Sequence, residues 1–184
     1  MSPNEQVVWG KLDNGFRYAL LPHHSVPGSA TLQFLVLAGA MDERDDERGI
    51  AHFIEHMCFR GTEDFSEQEM VQFFQELHMA YGSDVNAITT FEHTAYSLDI
   101  RDASPELLGR GLRLFGNFAD KVLLEPETIE NERGVILSEL RGRAGIAAKG
   151  QLAAVQTQFE GLTFPNRTPG GGAESIKRLR AEQF

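Results

Sequence analysis

The stretch His52-Phe53-Ile54-Glu55-His56 sets two imidazoles four residues apart, with a carboxylate three residues after the first. On a helix of about 3.6 residues per turn, all three side chains fall on one face. Two ring nitrogens so placed can reach a single ion at roughly 2.0–2.1 Å, the usual zinc–nitrogen distance. A carboxylate beside that ion can take a proton from water and later return it to a leaving amine. The bland alternative is a helix carrying two surface histidines. The flanks argue against it: Ile50, Ala51, Phe53, Ile54, Met57 and Phe59 are apolar, which predicts a mostly buried helix. Buried polar groups need partners, and a metal would satisfy them.

Two imidazoles leave a tetrahedral zinc short of protein ligands. A catalytic site commonly adds a third, often a carboxylate, and keeps the fourth position for water. Glu132 and Glu139 are favoured, because they lie seven residues apart on one side of a single predicted helix. Spacing does not choose between them, and a solvated helix face remains the alternative for each. The other histidines read differently. His23 and His24 are adjacent in a loop, face different ways and are expected to be exposed. His78 and His93 are expected to be satisfied structural side chains.

The elements that must position these groups follow from patterning. Val7 to Lys11 and Phe16 to Leu21 read as strands joined at Asp13-Asn14-Gly15, a hairpin turn signal. Thr31 to Ala38 is a nearly continuous apolar run and predicts a central strand. The acids Asp42, Glu43, Asp45, Asp46 and Glu47 precede the metal-motif helix, where carboxylates complement the positive end of its dipole. That helix runs from about Gly49 to Phe59. Ser66 with Glu69 forms a capping box for another, whose Met70, Phe73, Phe74 and Leu77 make a core stripe. Tyr81-Gly82-Ser83-Asp84 is a turn. Val85 to Thr90 and Thr94 to Ile100 read as strands, Tyr96, Leu98 and Ile100 alternating with Ser97 and Asp99. Helices start at Ser104-Pro105 and Glu125-Pro126. The first is expected to bury Leu108, Leu112, Phe115, Phe118 and Val122; the second carries Glu132 and Glu139. A short helix over Gln151 to Phe159, a Pro/Gly loop from Thr163 to Gly172 and a helix from Ser175 to Phe184 complete the chain.

At 184 residues, 41% hydrophobic and 24% charged, the chain suits one globular domain spanning residues 1–184. A net charge of −10 argues against nucleic acid and anionic membranes as partners. The single Cys58 rules out an internal disulfide and reads as a buried, inert thiol. No apolar run is long enough to span a bilayer, so no membrane insertion is expected. Met1 to Gln6 lacks the pattern of a secretory signal, which leaves cytoplasm and periplasm both open.

The motif His52-x-x-Glu55-His56 is the inverted zinc motif. Its setting, Gly49-Ile-Ala-His-Phe-Ile-Glu-His-Met-Cys-Phe-Arg-Gly-Thr62, resembles the signature of the pitrilysin-like (M16, insulinase-type) metallopeptidases. The likeness continues through Gly82-Ser-Asp-Val-Asn-Ala-Ile-Thr89, Glu92-His-Thr-Ala-Tyr96 and Glu132-Arg-Gly-Val-Ile-Leu-Ser-Glu139, and more loosely around Arg167 to Gly172. The resemblance implies an α+β fold: a mixed, largely antiparallel sheet with helices packed on one face. It implies one Zn2+ per chain, held by His52, His56 and Glu139. Glu55 would be the general base, and Glu132 a supporting carboxylate that orients ligands. Asn86 and Ala87 would hold substrate backbone added as a strand at the sheet edge; a turn or strand-end role is the alternative for Asn86.

Family peptidases enclose substrate between this domain and a related second half, and that half does not follow here. The first domain itself is expected to be incomplete at its C-terminal end. The leading expectation is therefore a zinc endopeptidase domain acting on peptides, weak alone and working with a second M16-like half or subunit, or by self-association. A non-catalytic peptide-binding or subunit module is the rival from another class. An unrelated zinc hydrolase, active by itself, is the third reading.

Overall fold

A computed structural model of the chain describes residues 6–23, 26–80 and 82–184. The expectations for Met1–Glu5, His24 and Tyr81 lie outside the described residues. The Asn-Gly signal produces its hairpin: β1 (Val8–Lys11) pairs antiparallel with β2 (Arg17–Leu20) in the register Lys11↔Arg17. Gly15 takes φ 93°, the left-handed conformation that a tight turn needs and glycine adopts without strain. The hairpin forms a sheet of its own, with Trp9 71% exposed and Phe16 stacked on Phe34 of the main sheet.

The main sheet holds β3 (Ala30–Val36), β4 (Val85–Thr89) and β5 (Thr94–Ile100) in the order β3-β5-β4, antiparallel throughout. Thr94, Tyr96, Leu98 and Ile100 of β5 face the core, while Ala95, Ser97 and Asp99 lie on the partly exposed side, as their alternation predicts. The expected central place for the apolar run Thr31–Ala38 is a correction. β5 is central and β3 is an edge of this sheet, with Leu37 66% exposed. A continuous apolar run reports that a strand is hydrophobic on both faces. It does not report what covers each face. His93 is satisfied as expected, its Nδ1 lying 3.1 Å from the Thr90 hydroxyl in the β4–β5 turn.

The described residues form six α-helices: α1 (Ile50–Cys58), α2 (Glu67–Glu76), α3 (Pro105–Asp120), α4 (Pro126–Arg143), α5 (Ile146–Gln158) and α6 (Ala173–Arg178). The Ser66–Glu69 capping box forms, and Ser104 accepts from the Leu107 amide at 3.2 Å. α5 begins five residues before the expected Gln151. α6 is shorter than expected, because Leu179 turns extended and a 3-10 turn over Ala181–Gln183 follows. α3 buries Gly111, Leu114, Phe115 and Phe118, whereas the expected Leu112 is 60% exposed. The cause is close approach: a Cβ on Gly111 would sit 2.7 Å from Leu32 Cδ1, so the helix lies on the sheet through its glycine.

Two apolar clusters result. One joins the sheet to α2 and α3 through Phe34, Met70, Phe73, Phe74, Tyr96, Leu98 and Phe118. Each large side chain buried there contributes about 1.5–3 kcal/mol. The other joins α1, α4 and α6 through Phe53, Met57, Ile129, Ile136 and Ile176. α1 belongs to both, since its Cys58 lies in the first cluster. This short helix is therefore gripped by both clusters, which fixes the positions of its polar groups.

Candidate metal centre

The N-terminus of α1 is capped from a distance. Gly49 has φ 96° and no side chain to cap with. A Cβ there would meet Ile176 Cδ1 at 2.6 Å and the Gly170 carbonyl oxygen at 2.8 Å, so only glycine fits. The cap comes instead from Glu43, which accepts from the amides of Gly49 at 2.9 Å and Ala51 at 3.0 Å. Burial raises the Glu43 pKa, and those two donors together with Arg167 oppose the shift. One of the expected helix-start acids thus acts as a buried cap.

His52 and His56 project from α1 with ring centroids 4.6 Å apart. Glu139 reaches them from α4. Its carboxylate oxygens lie 3.9 Å from His52 Nε2 and 3.3 Å from His56 Nε2. One donor atom from each of the three residues falls within 4.8 Å of the others. Tetrahedral zinc with bonds of roughly 2.0–2.1 Å needs its ligand atoms about 3.3 Å apart, so this set fits after small side-chain movements. Two imidazoles and a carboxylate are also the donor chemistry that zinc favours. Arg143, one turn further along α4, pairs with Glu139.

Glu132, two turns before Glu139 on α4, has a different position. It sits behind His56 and accepts at Oε1 from Nδ1 at 2.7 Å. Its other oxygen accepts from Arg60 Nε. An ionised carboxylate only accepts, so Nδ1 of His56 carries a proton, and Nε2 is the ring nitrogen that faces Glu139 and can bind a cation in its unprotonated form. Burial works against the Glu132 charge, but the hydrogen bonds from His56 and Arg60 outweigh it and hold the carboxyl below its ordinary range. Burial likewise works against protonation of His56, and the Glu132 hydrogen bond with the nearby carboxylates raises its pKa overall. His52 behaves in the opposite way. Burial, then the neighbouring His56, push its pKa down to about 4, so it is neutral and able to bind a cation. Its Nδ1 is buried without a hydrogen-bond partner among the described residues.

Glu55 is buried on the same helix, and its Oε2 accepts from the Thr89 hydroxyl at the end of β4. Burial raises its pKa, and the Thr89 bond partly offsets this. Asn86 and Ala87 lie on β4 opposite Ser97 and Tyr96 of β5. The other edge of β4 is unpaired among the described strands. Both residues line a cleft of about 370 Å³ together with Glu55, His56 and Glu132. Every residue singled out from the sequence for this site is therefore at one place in space. Four neighbours were not foreseen in these roles: Glu43, Arg60, Thr89 and Arg143. Of these, Arg143 carried a local signal, four residues after Glu139 on the same helix, the spacing that brings helical side chains together. No helix among the described residues is long and apolar enough to cross a membrane.

The chain is 30% identical over 173 residues to a zinc protease PQQL-like of Arabidopsis thaliana, covering 94% of this chain and 18% of that protein. The crystal structure of the periplasmic protease PqqL from Escherichia coli superposes with a TM-score of 0.91 at 26% identity, covering 100% of this chain and 20% of that one. The first half of the same protease superposes with a TM-score of 0.90 at 27% identity, covering 98% of this chain and 38% of that one. The chain thus spans about a fifth of the length of the curated relatives it matches. The profile of the Insulinase (Peptidase family M16) family matches residues 18–144, more than half of the chain, and the chain therefore belongs to that family.

Proposed function

We propose that this chain is the zinc-bearing part of an M16 endopeptidase acting on peptides. One Zn2+ is held by His52, His56 and Glu139. The observation that carries the reading is the convergence of those three donors, from α1 and α4, within 4.8 Å. Zinc there supplies Lewis-acid polarisation of a peptide carbonyl and of water. Glu132 holds the His56 ring in the tautomer that offers Nε2. Thr89 occupies Glu55 Oε2, which leaves Oε1 to take a proton from water and return it to the leaving nitrogen. The raised pKa of Glu55 suits that exchange. The open edge of β4 offers Asn86 and Ala87 to an added substrate strand.

Activity in this reading needs a second homologous half, since the relatives are about five times longer. Escherichia coli PqqL is described as periplasmic, one of the two compartments that the sequence leaves open. The test is metal analysis of the parent beside Glu139→Gln, followed by peptidase assay with a second half supplied. One zinc per parent chain, weakened binding in the variant and turnover only in the mixture are expected. Equal zinc binding in both proteins removes Glu139 as a ligand. Brisk cleavage by this chain alone removes the need for a partner. The rival reading, a peptide-binding or subunit module, draws on the chain's short share of its relatives. Peptide binding without turnover in the mixture selects it.

A further inference from the structure

Arg60 follows directly on the C-cap of α1, and its amide donates to the Met57 carbonyl at 2.9 Å. Its guanidinium joins two other helices. Nε donates to Glu132 Oε2 on α4, and Nη1 donates to Glu67 Oε1 in the first turn of α2. Glu132 is the inner partner, with a side chain only 3% exposed; Glu67 is the outer one, at 50%. The other Glu132 oxygen receives His56 Nδ1 at 2.7 Å. The two oxygens of one buried carboxylate are therefore divided between a candidate ligand and an arginine that is anchored elsewhere.

We infer that Arg60 is a positioning residue for metal binding, which acts through Glu132 to aim His56 Nε2 at Glu139. This rests on the zinc site proposed above. With Oε2 pinned, the plane of the carboxylate is fixed, and so is the direction from which Oε1 accepts from His56. Without Arg60, a buried oxygen is left with no donor, and the carboxylate relieves this by rotating or admitting water. The imidazole then loses its orienting partner. Glu67 in turn keeps Arg60 from following the carboxylate, so α2 is tied to the centre without touching it. Lysine cannot do this fully, because one ammonium lacks the fork that serves two carboxylates in fixed directions.

The test is zinc affinity of the full chain by competition with a chelator of known affinity, at one pH, with a metal-free melting curve for each protein. Arg60→Met is expected to weaken zinc by about 10–100-fold, the usual range for losing an outer orienting partner. Arg60→Lys recovers part of that loss. In a Glu132→Gln background, Arg60→Met adds little further loss, because both changes break one path. A merely structural role would lower the melting temperature and leave this non-additivity absent. Should Arg60→Met fold poorly, Glu67→Gln, at a half-exposed position, loosens only the outer arm; a two- to five-fold weakening is expected, about the worth of a surface ion pair. Parent-like zinc affinity in Arg60→Met, or unchanged affinity in Glu67→Gln where the former does not fold, overturns the inference. So does full additivity with Glu132→Gln. A parent chain that binds no zinc at all overturns the proposed site itself, and is distinguished from failure of the Arg60 path by that first measurement.

Discussion

The cluster under α2 and α3 and the seam between α1 and α4 are both buried, but they are built from different materials. The first is filled by Phe34, Met70, Phe73, Phe74 and Leu98, and packing density decides its stability. The second has an apolar floor of Phe53, Met57, Ile129 and Ile136, above which His52, Glu55 and Glu132 are buried and His56 is partly so. Burying charge costs more than burying carbon, and pairing repays it only in part. The seam therefore sacrifices stability for a donor set, while the cluster supplies the stability that the seam spends. The comparison predicts that substitutions at the two places have opposite signatures: loss of chemistry with little loss of fold in the seam, and loss of fold in the cluster.

The largest effect is expected at Glu55. In an assembly with a second half, Glu55→Gln should reduce turnover by about 10²–10⁴-fold, the usual share of general acid–base catalysis, while zinc content is retained. Its melting temperature should stay close to the parent's, since the amide keeps the shape of the side chain and its bond to Thr89. Parent-like turnover removes Glu55 as the base. Phe74→Ala is the counterpart in the cluster. It should cost about 3–5 kcal/mol by denaturant unfolding, because a fully buried ring leaves a cavity that the surroundings cannot fill. A cost below about 1 kcal/mol would mean that the two regions do not differ as argued.

Acid sharpens the contrast, because the seam holds two histidines whose pKa values are shifted in opposite directions. For His52 the folded value, about 4, lies below the ordinary 6.5. The unfolded chain thus binds more protons between those values, and stability falls as pH drops through that window. His56 is raised, so its contribution has the opposite sign: present at low pH and lost as pH rises through its folded value. In the metal-free chain, His52→Gln should flatten the loss of stability between about pH 6.5 and 4 relative to the parent. An unchanged slope would place the acid sensitivity elsewhere. A smaller effect is expected at Glu43→Ala, which strips the cap from two amides of α1. About 1–2 kcal/mol is expected from denaturant unfolding, and no measurable loss would mean that water replaces the cap.

How much of this was legible depended on distance along the chain. The α1 pair was readable because the chemistry and the helical period coincide within five residues. The stripe Met70, Phe73, Phe74 was readable for the same reason. The third donor was not, because Glu132 and Glu139 satisfy the same spacing rule, and what separates them is which side of His56 each reaches. Likeness to a known family made that choice where spacing could not. Leu112 was placed inside by periodicity alone, whereas the contact of Gly111 with Leu32 rotates the face that α3 buries. Glu43 was one of five acids read as serving the start of α1, and nothing in the sequence separates it from the other four; Thr89 could not have been found, since a hydroxyl at a strand end carries no sign of the partner it will meet.

The smallest expected effect asks whether the two regions are separable at all. Cys58 belongs to α1 but lies in the cluster, 3.3 Å from the Tyr96 hydroxyl. Burial pushes its thiol up to about 12, so in the folded chain at pH 8 it is neutral and inaccessible, and a thiol reagent must wait for opening. If seam and cluster open as one unit, zinc bound in the seam slows labelling of Cys58 in proportion to the stabilisation, about tenfold for each tenfold excess over Kd. If the cluster opens independently, zinc leaves the labelling rate unchanged although it raises protection in α4. The prediction is coupling, because α1 is only nine residues long and contributes side chains to both clusters. A helix of that length has too little internal stability to remain folded at one end while the other end opens. Zinc-independent labelling of Cys58, measured where zinc is shown to bind, would break the argument at that helix.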